Sequence, residues 1–120
     1  EDRHQAAIDL LHWCAKNGSK SLSMNELSAE LHQSRTSLFK GAREHFDCTP
    51  LELQRSIRMD RIRQLLLDPS RRLELGLTGV GAIASAMGFA SRSHFARRYQ
   101  QQYGEPPQET LSRSRDATDT

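Results

Sequence analysis

The sequence predicts an all-α, seven-helix domain with two helix-turn-helix units joined by a long linker helix. Three observations carry that prediction. Apolar residues recur at the 3.6-residue period of an amphipathic helix in successive segments. Ser, Thr and Pro stand where these segments begin, and Gly where several of them end. The segment from Ile83 to Pro107 is also echoed upstream by a segment with the same pattern.

The first helix runs from His4 to about Asn17. Ala7, Ile8, Leu11, Cys14 and Ala15 form one stripe along it, and Gly18 follows as a stop. Trp13 lies beside that stripe as a packing residue.

Ser23-Met24-Asn25-Glu26 is a capping-box pattern, in which hydroxyl and carboxylate satisfy each other's backbone donors. It opens a short second helix to about His32, with Met24, Leu27 and Leu31 inward. Ser34 caps a third helix whose inner face is Leu38, Ala42 and Phe46. That helix is expected to expose Arg35, Thr36, Ser37, Lys40 and Arg43. Gly41 inside it costs about 1 kcal/mol relative to alanine.

Thr49-Pro50-Leu51-Glu52 is a second start signal, because proline is pre-organised for the first helical turn. No Gly or Pro follows until Pro69, so one helix is expected from Pro50 to about Leu67, roughly 27 Å long. Met59, Ile62, Leu65 and Leu66 form its apolar side. Arg55, Arg58, Arg61 and Arg63 are spread around the rest, either as a solvated face or as DNA contacts.

Asp68 to Leu77 contains Pro69 and Gly76 and is expected to break the helix, with Thr78 capping the next one. In that helix Ile83, Ala84 and Met87 share a face, and Gly88 supplies the turn. Ser91 caps the helix after it, whose apolar face is Phe95 and Tyr99. The opposite face is cationic, with Arg92, His94, Arg97 and Arg98 and no carboxylate between Ser91 and Tyr103. An unopposed basic surface on the second helix of such a pair suits a phosphate backbone. Gly104 ends this helix and Pro107 starts a short closing one. The first unit with its linker helix thus spans 4–67, the second 68–113, and a disordered tail 114–120.

The echo is specific. Leu27 and Leu31 match Ile83 and Met87 at one constant offset. Leu38, Phe46 and Pro50 match Phe95, Tyr103 and Pro107 at an offset one residue longer. The extra residue falls in the turn, where insertion costs least. Two such units on a helix of about 27 Å suggest recognition helices near one DNA turn apart, ~34 Å.

Composition sets the bounds. A chain of 120 residues, 36% of them apolar, builds one modest core or two small ones. Its 17 Lys+Arg against 15 Asp+Glu leave a net charge of only +2, so the placement of charge matters more than its sum. Cys14 and Cys48 lack metal-ligand spacing and fit buried or half-exposed thiols of a reducing compartment. No apolar run approaches the ~20 residues of a membrane span. Glu1 is not an initiator methionine, so the chain is expected to be cut from a longer protein with a domain upstream.

Catalysis has no motif here: there is no phosphate loop, no nucleophile elbow, no H-E-x-x-H and no paired cysteine pattern. His4, His12, His32, His45 and His94 are scattered. His45 near Cys48 lacks a third ligand, so no metal, cofactor or catalytic residue is expected.

Gly88-Phe89, Ser91-x-Ser93-x-Phe95, Arg97, Tyr99, Gly104 and Pro107 resemble the signature of the DNA-binding domain of AraC/XylS-type transcriptional regulators. The resemblance covers about Ser21 to Arg113. It implies a bacterial cytoplasmic regulator, often an activator, with double-stranded promoter DNA as partner, contact with RNA polymerase and an effector bound by an upstream domain. The first unit departs from the family pattern. It has Leu38-Phe39-Lys40-Gly41-Ala42 where Leu-x-Arg-x-Phe is usual, and Asp47 where glycine is usual. Phe39 then points toward the groove side.

On the resemblance, Arg97 reads bases, since a guanidinium pairs bidentately with guanine. Arg92, Ser93 and Ala96 flank it, His94 and Arg98 grip phosphate, and the capping Ser91 belongs to the same DNA-binding set. Arg35, Thr36, Ser37, Lys40 and Arg43 are the first unit's set. The plain alternative for each is a solvated surface residue. Two other functions stay open: a helical protein-interaction module that has lost DNA binding, and a DNA-binding appendage of a fused enzyme.

Overall fold

A computed structural model describes residues 2–18 and 20–119, with side chains described as far as Arg115. These residues form eight helices and no strand: α1 (Arg3–Lys16), α2 (Met24–Leu31), α3 (Arg35–Phe46), α4 (Pro50–Leu67), α5 (Pro69–Leu75), α6 (Val80–Ala86), α7 (Arg92–Tyr103) and α8 (Pro107–Asp119). The all-α prediction stands, with one helix more than the seven expected. The addition is α5. Asp68 and Pro69 act as a start signal rather than a break, because the Asp68 carboxylate accepts from the Arg71 N–H while proline occupies the first turn.

The chain forms two compact units, Glu1–Arg58 and Met59–Thr120. The division falls inside α4 and not after it at Leu67. Its cause is the change of partner along the helix: Leu53 and Ile57 pack in the first core, and Met59, Ile62 and Leu66 in the second.

In the first unit, Ala6, Leu10, Cys14, Met24, Leu27, Leu38, Ala42 and Leu53 are buried together, and Trp13 packs against them half-buried. Each fully buried leucine contributes about 1.5–3 kcal/mol by leaving water. The buried stripe of α1 differs from the expected one. Ala6, Ala7, Leu10 and Cys14 turn inward, while Leu11 is 39% exposed and Ala15 lies on the surface. Where α1 crosses α3, Gly41 lies against the Arg3 carbonyl and Ala7, so the inner position there takes a small residue. Gln54 completes the unit. Its amide donates to the Leu22 carbonyl at 2.8 Å and accepts from the Leu22 N–H at 2.9 Å.

In the second unit, Met59, Ile62, Leu66, Ile83, Ala84, Met87, Phe95, Tyr99 and Leu111 form the core. Phe89, Phe95, Tyr99 and Tyr103 follow one another through it with ring centroids 4.7–5.8 Å apart. Arg72 is buried. It donates to the carbonyls of Leu65 and Leu66 at 2.8 and 2.6 Å, which satisfies the C-terminal end of α4. It also reaches the Ser114 hydroxyl at 3.4 Å.

Leu111 and Thr110 are buried in the same unit, and α8 runs as helix to Asp119, where the sequence suggested a disordered tail from 114. Thr120, the last residue of that tail, lies outside the described residues. The start of α6 also differs. Gly79 and not Thr78 is the N-cap, without a side-chain cap bond, and the Thr78 carbonyl accepts from Arg115 at 3.2 Å.

The internal repeat extends to the backbone. His32 and Gly88, matched in the two units, end α2 and follow α6 with φ of 53° and 87°. Asp47 and Gly104 end α3 and α7 with φ of 55° and 75°. Ser34 and Ser91 cap the two second helices, each accepting from the backbone N–H three residues on.

Candidate nucleic-acid interface

Within each unit, a short helix and a tight turn position a second, exposed helix whose inner face is fixed by the core. In the second unit that helix is α7. Phe95 and Tyr99 are 1% and 0% exposed, so the rest of the helix is held in one rotational setting. Tyr99 reinforces it: its hydroxyl donates to Thr110 at 2.9 Å and accepts from Arg63 at 3.2 Å. Arg63 also lies 4.6 Å from the centre of the Tyr103 ring. It is therefore a structural cation and not part of a solvated face. Arg58 is buried as well.

With α7 set in this way, Ser91, Arg92, Ser93, His94 and Arg97 are exposed, and Ala96 and Arg98 are half-buried. Ser91 is engaged as the cap, its Oγ accepting from His94 N–H at 3.3 Å. Arg92 lies over α6, its Cζ 3.4 Å from where a Gly81 side chain would begin. Among the described residues none of Arg92, Arg97 and Arg98 is engaged in an ion pair. A surface with uncompensated guanidinium groups and no carboxylate favours a polyanion.

In the first unit the corresponding helix is α3. Arg35, Thr36, Lys40 and Arg43 are exposed, and Arg35 donates to Asn25 Oδ1 at 3.2 Å. Ser37 corrects the expectation. It is 4% exposed, and its hydroxyl accepts from Ser34 at 2.9 Å inside the turn. It therefore belongs to the cap and not to the surface.

Phe39 is 41% exposed and shares a shallow depression with Arg3, Lys40, Arg43 and Glu44. Arg3 was not foreseen in this group. No local signal points to it, since it arrives there only because α1 crosses α3, and it pairs with Glu44 at 3.0 Å.

The remaining chemistry is sparse. His45 meets His4 and not Cys48. Cys14 is buried, and that burial, with Cys48 nearby, pushes its thiol up to about 11. Burial also raises the half-exposed Cys48 thiol. Among the described residues no group of three or more His, Cys, Asp or Glu is placed to hold a metal ion, and no helix is long and apolar enough to cross a membrane.

A family model described as a helix-turn-helix domain matches residues 27–113. The chain is 28% identical over 93 residues to the HTH-type transcriptional regulator GbdR of Pseudomonas aeruginosa, covering 78% of this chain and 23% of that protein. It is 25% identical over 103 residues to XylDLEGF operon transcriptional activator 2 of Pseudomonas putida, covering 86% of this chain and 63% of that one. The chain therefore spans less than two thirds of the length of these relatives.

Among solved structures it is similar to a probable AraC family transcriptional regulator from Rhodopseudomonas palustris CGA009, with a TM-score of 0.76 and 26% identity over 92% of this chain and 97% of that one. An AraC-type DNA-binding domain-containing regulator from Chromobacterium violaceum, 22% identical, shares the fold with a TM-score of 0.79 over 92% of each chain.

Proposed function

The chain belongs to the AraC-type helix-turn-helix family, and we propose that it is the DNA-binding portion of a transcription regulator, reading double-stranded promoter DNA with α3 and α7 in successive major-groove segments. The observation that carries this reading is the outer face of α7, where exposed Arg97 and half-buried Arg98 stand without ion-pair partners among the described residues, on a helix locked by Phe95 and Tyr99.

Arg97 is the base reader. It lies one helical turn beyond Ser93, and its planar fork matches the two acceptors of guanine in the major groove. Ser91, Arg92, Ser93 and Ala96 line the same approach, while His94 and Arg98 meet phosphate oxygens. In the first unit Arg35, Thr36, Lys40 and Arg43 hold the complex in register and add affinity. The repeated caps and left-handed turns of the two units support two reading heads and not one. The relatives' names as a transcriptional regulator and an operon transcriptional activator support promoter DNA as the partner. On the same reading the regulator works in a bacterial cytoplasm, contacts RNA polymerase and takes its effector on a separate domain.

The test is selection of genomic fragments bound by this chain, followed by binding of the selected site and of random duplex. Arg97→Ala is expected to weaken the specific site by about 1–3 kcal/mol and to leave random duplex nearly unchanged. Equal losses on both would reassign Arg97 to phosphate. Wild-type binding should fall steeply with salt. No salt-dependent binding to any duplex would sink the regulator reading in favour of a protein-interaction module.

A further inference from the structure

We propose that His4 and His45 form a two-histidine site for a borderline transition-metal cation of the zinc, nickel and copper class. His4 stands in the first turn of α1 and His45 in the last turn of α3. Their facing nitrogens, Nδ1 of His4 and Nε2 of His45, are 3.2 Å apart. Two nitrogens held at ~2.0–2.1 Å by a tetrahedral ion are about 3.3 Å apart. The ring centroids are 4.8 Å apart and the planes are tilted by 58°. That separation is shorter than a head-on line of the two nitrogens gives, so the rings meet at an angle and not end to end, which leaves room for an ion beside both nitrogens.

The pair is preorganised by the helices that carry it. Gly41 brings α1 and α3 into backbone contact, and the Arg3–Glu44 ion pair at 3.0 Å crosses the same two helices one residue before each histidine. Both imidazoles are exposed, which leaves the remaining coordination positions to water. A ligand set of imidazole nitrogens selects zinc, nickel or copper over magnesium or calcium.

Without metal, one facing nitrogen carries the hydrogen that the other accepts. On binding, that hydrogen is exchanged to the far nitrogen of its own ring. Both rings stay neutral, and each turns a lone pair to the ion. A metal held between two helices binds the folded chain and not the unfolded one, so it stabilises the fold. His12 lines the same shallow groove but lies two turns along α1 from His4, which makes it the internal control.

The full 120-residue chain, free of any histidine tag, is titrated with Zn²⁺ by calorimetry and followed by thermal unfolding. One saturable site and a rise in Tm are expected. His4→Ala and His45→Ala should each weaken binding at least about tenfold, since a single imidazole holds zinc poorly. His12→Ala should leave it intact. Circular dichroism checks that each variant is folded; if an alanine variant is not, His45→Phe keeps the ring without its nitrogens and replaces it. Absence of saturable zinc binding by the wild type, wild-type binding by a His4→Ala/His45→Ala double variant, or an equal loss in His12→Ala would overturn the site.

Discussion

Gly41 on α3 lies against the carbonyl of Arg3 on α1 so closely that a Cβ at position 41 would stand 2.3 Å from that oxygen. The same atom would be 3.1 Å from the Ala7 nitrogen. Read alone, a glycine inside a helix is a cost of about 1 kcal/mol. Here it is what lets the two helices meet, with Ala6, Ala7 and Ala42 completing a contact built from small side chains.

Gly41→Ala should therefore destabilise the chain although alanine is the better helix former. The added methyl meets backbone and not a flexible side chain, so α1 has to move away from α3. A loss of about 1–3 kcal/mol is expected, the range for overpacked sites. Urea unfolding measures it, and a stability equal to or above wild type would show that the helices separate without cost.

His32→Gly should act in the opposite direction. His32 ends α2 in the left-handed region at φ 53°, where the matched residue of the second unit, Gly88, is a glycine. A side chain there costs roughly 1–2 kcal/mol, and glycine returns part of that gain as chain entropy. A net gain of about 0.5–1 kcal/mol is expected in thermal or urea unfolding. A destabilised variant would mean that the His32 side chain makes a compensating contact.

Acid should weaken the second unit through Glu105. Its carboxylate accepts from the Thr110 hydroxyl first and from Arg113 second, with Arg63 at 3.9 Å, and these partners hold its pKa below the ordinary glutamate value. A depressed folded pKa means that its contribution is present above the unfolded value of about 4.3 and is lost as pH falls through the folded one. Wild type should thus lose stability on acidification below about pH 4.3 more steeply than Glu105→Gln. Parallel pH profiles of Tm for the two would remove Glu105 from the acid response.

Much of the fold was legible in the residue order because it is locally encoded. Ser23 with Glu26, Ser34 and Ser91 cap the helices that their positions announced. Phe95 and Tyr99 turn inward as their spacing requires, which leaves Arg92, Ser93 and Arg97 outward without further information. The α5 helix was missed because Pro69 opens helices as readily as it breaks them, and only the Asp68 cap bond distinguishes the two outcomes.

The sequence by itself determined the helical class, the tandem repeat with its turn positions, and the cationic face of α7, since each depends on residues within a few turns of one another. The tertiary structure decided what depends on distant partners. Those features are the inner face of α1, the burial of Ser37 in its own turn, the need for Gly41 and the meeting of His4 with His45. The physical reason is common to all four. A single helix offers several overlapping stripes and many exposed polar groups, and the shape of the helix that packs against it selects among them.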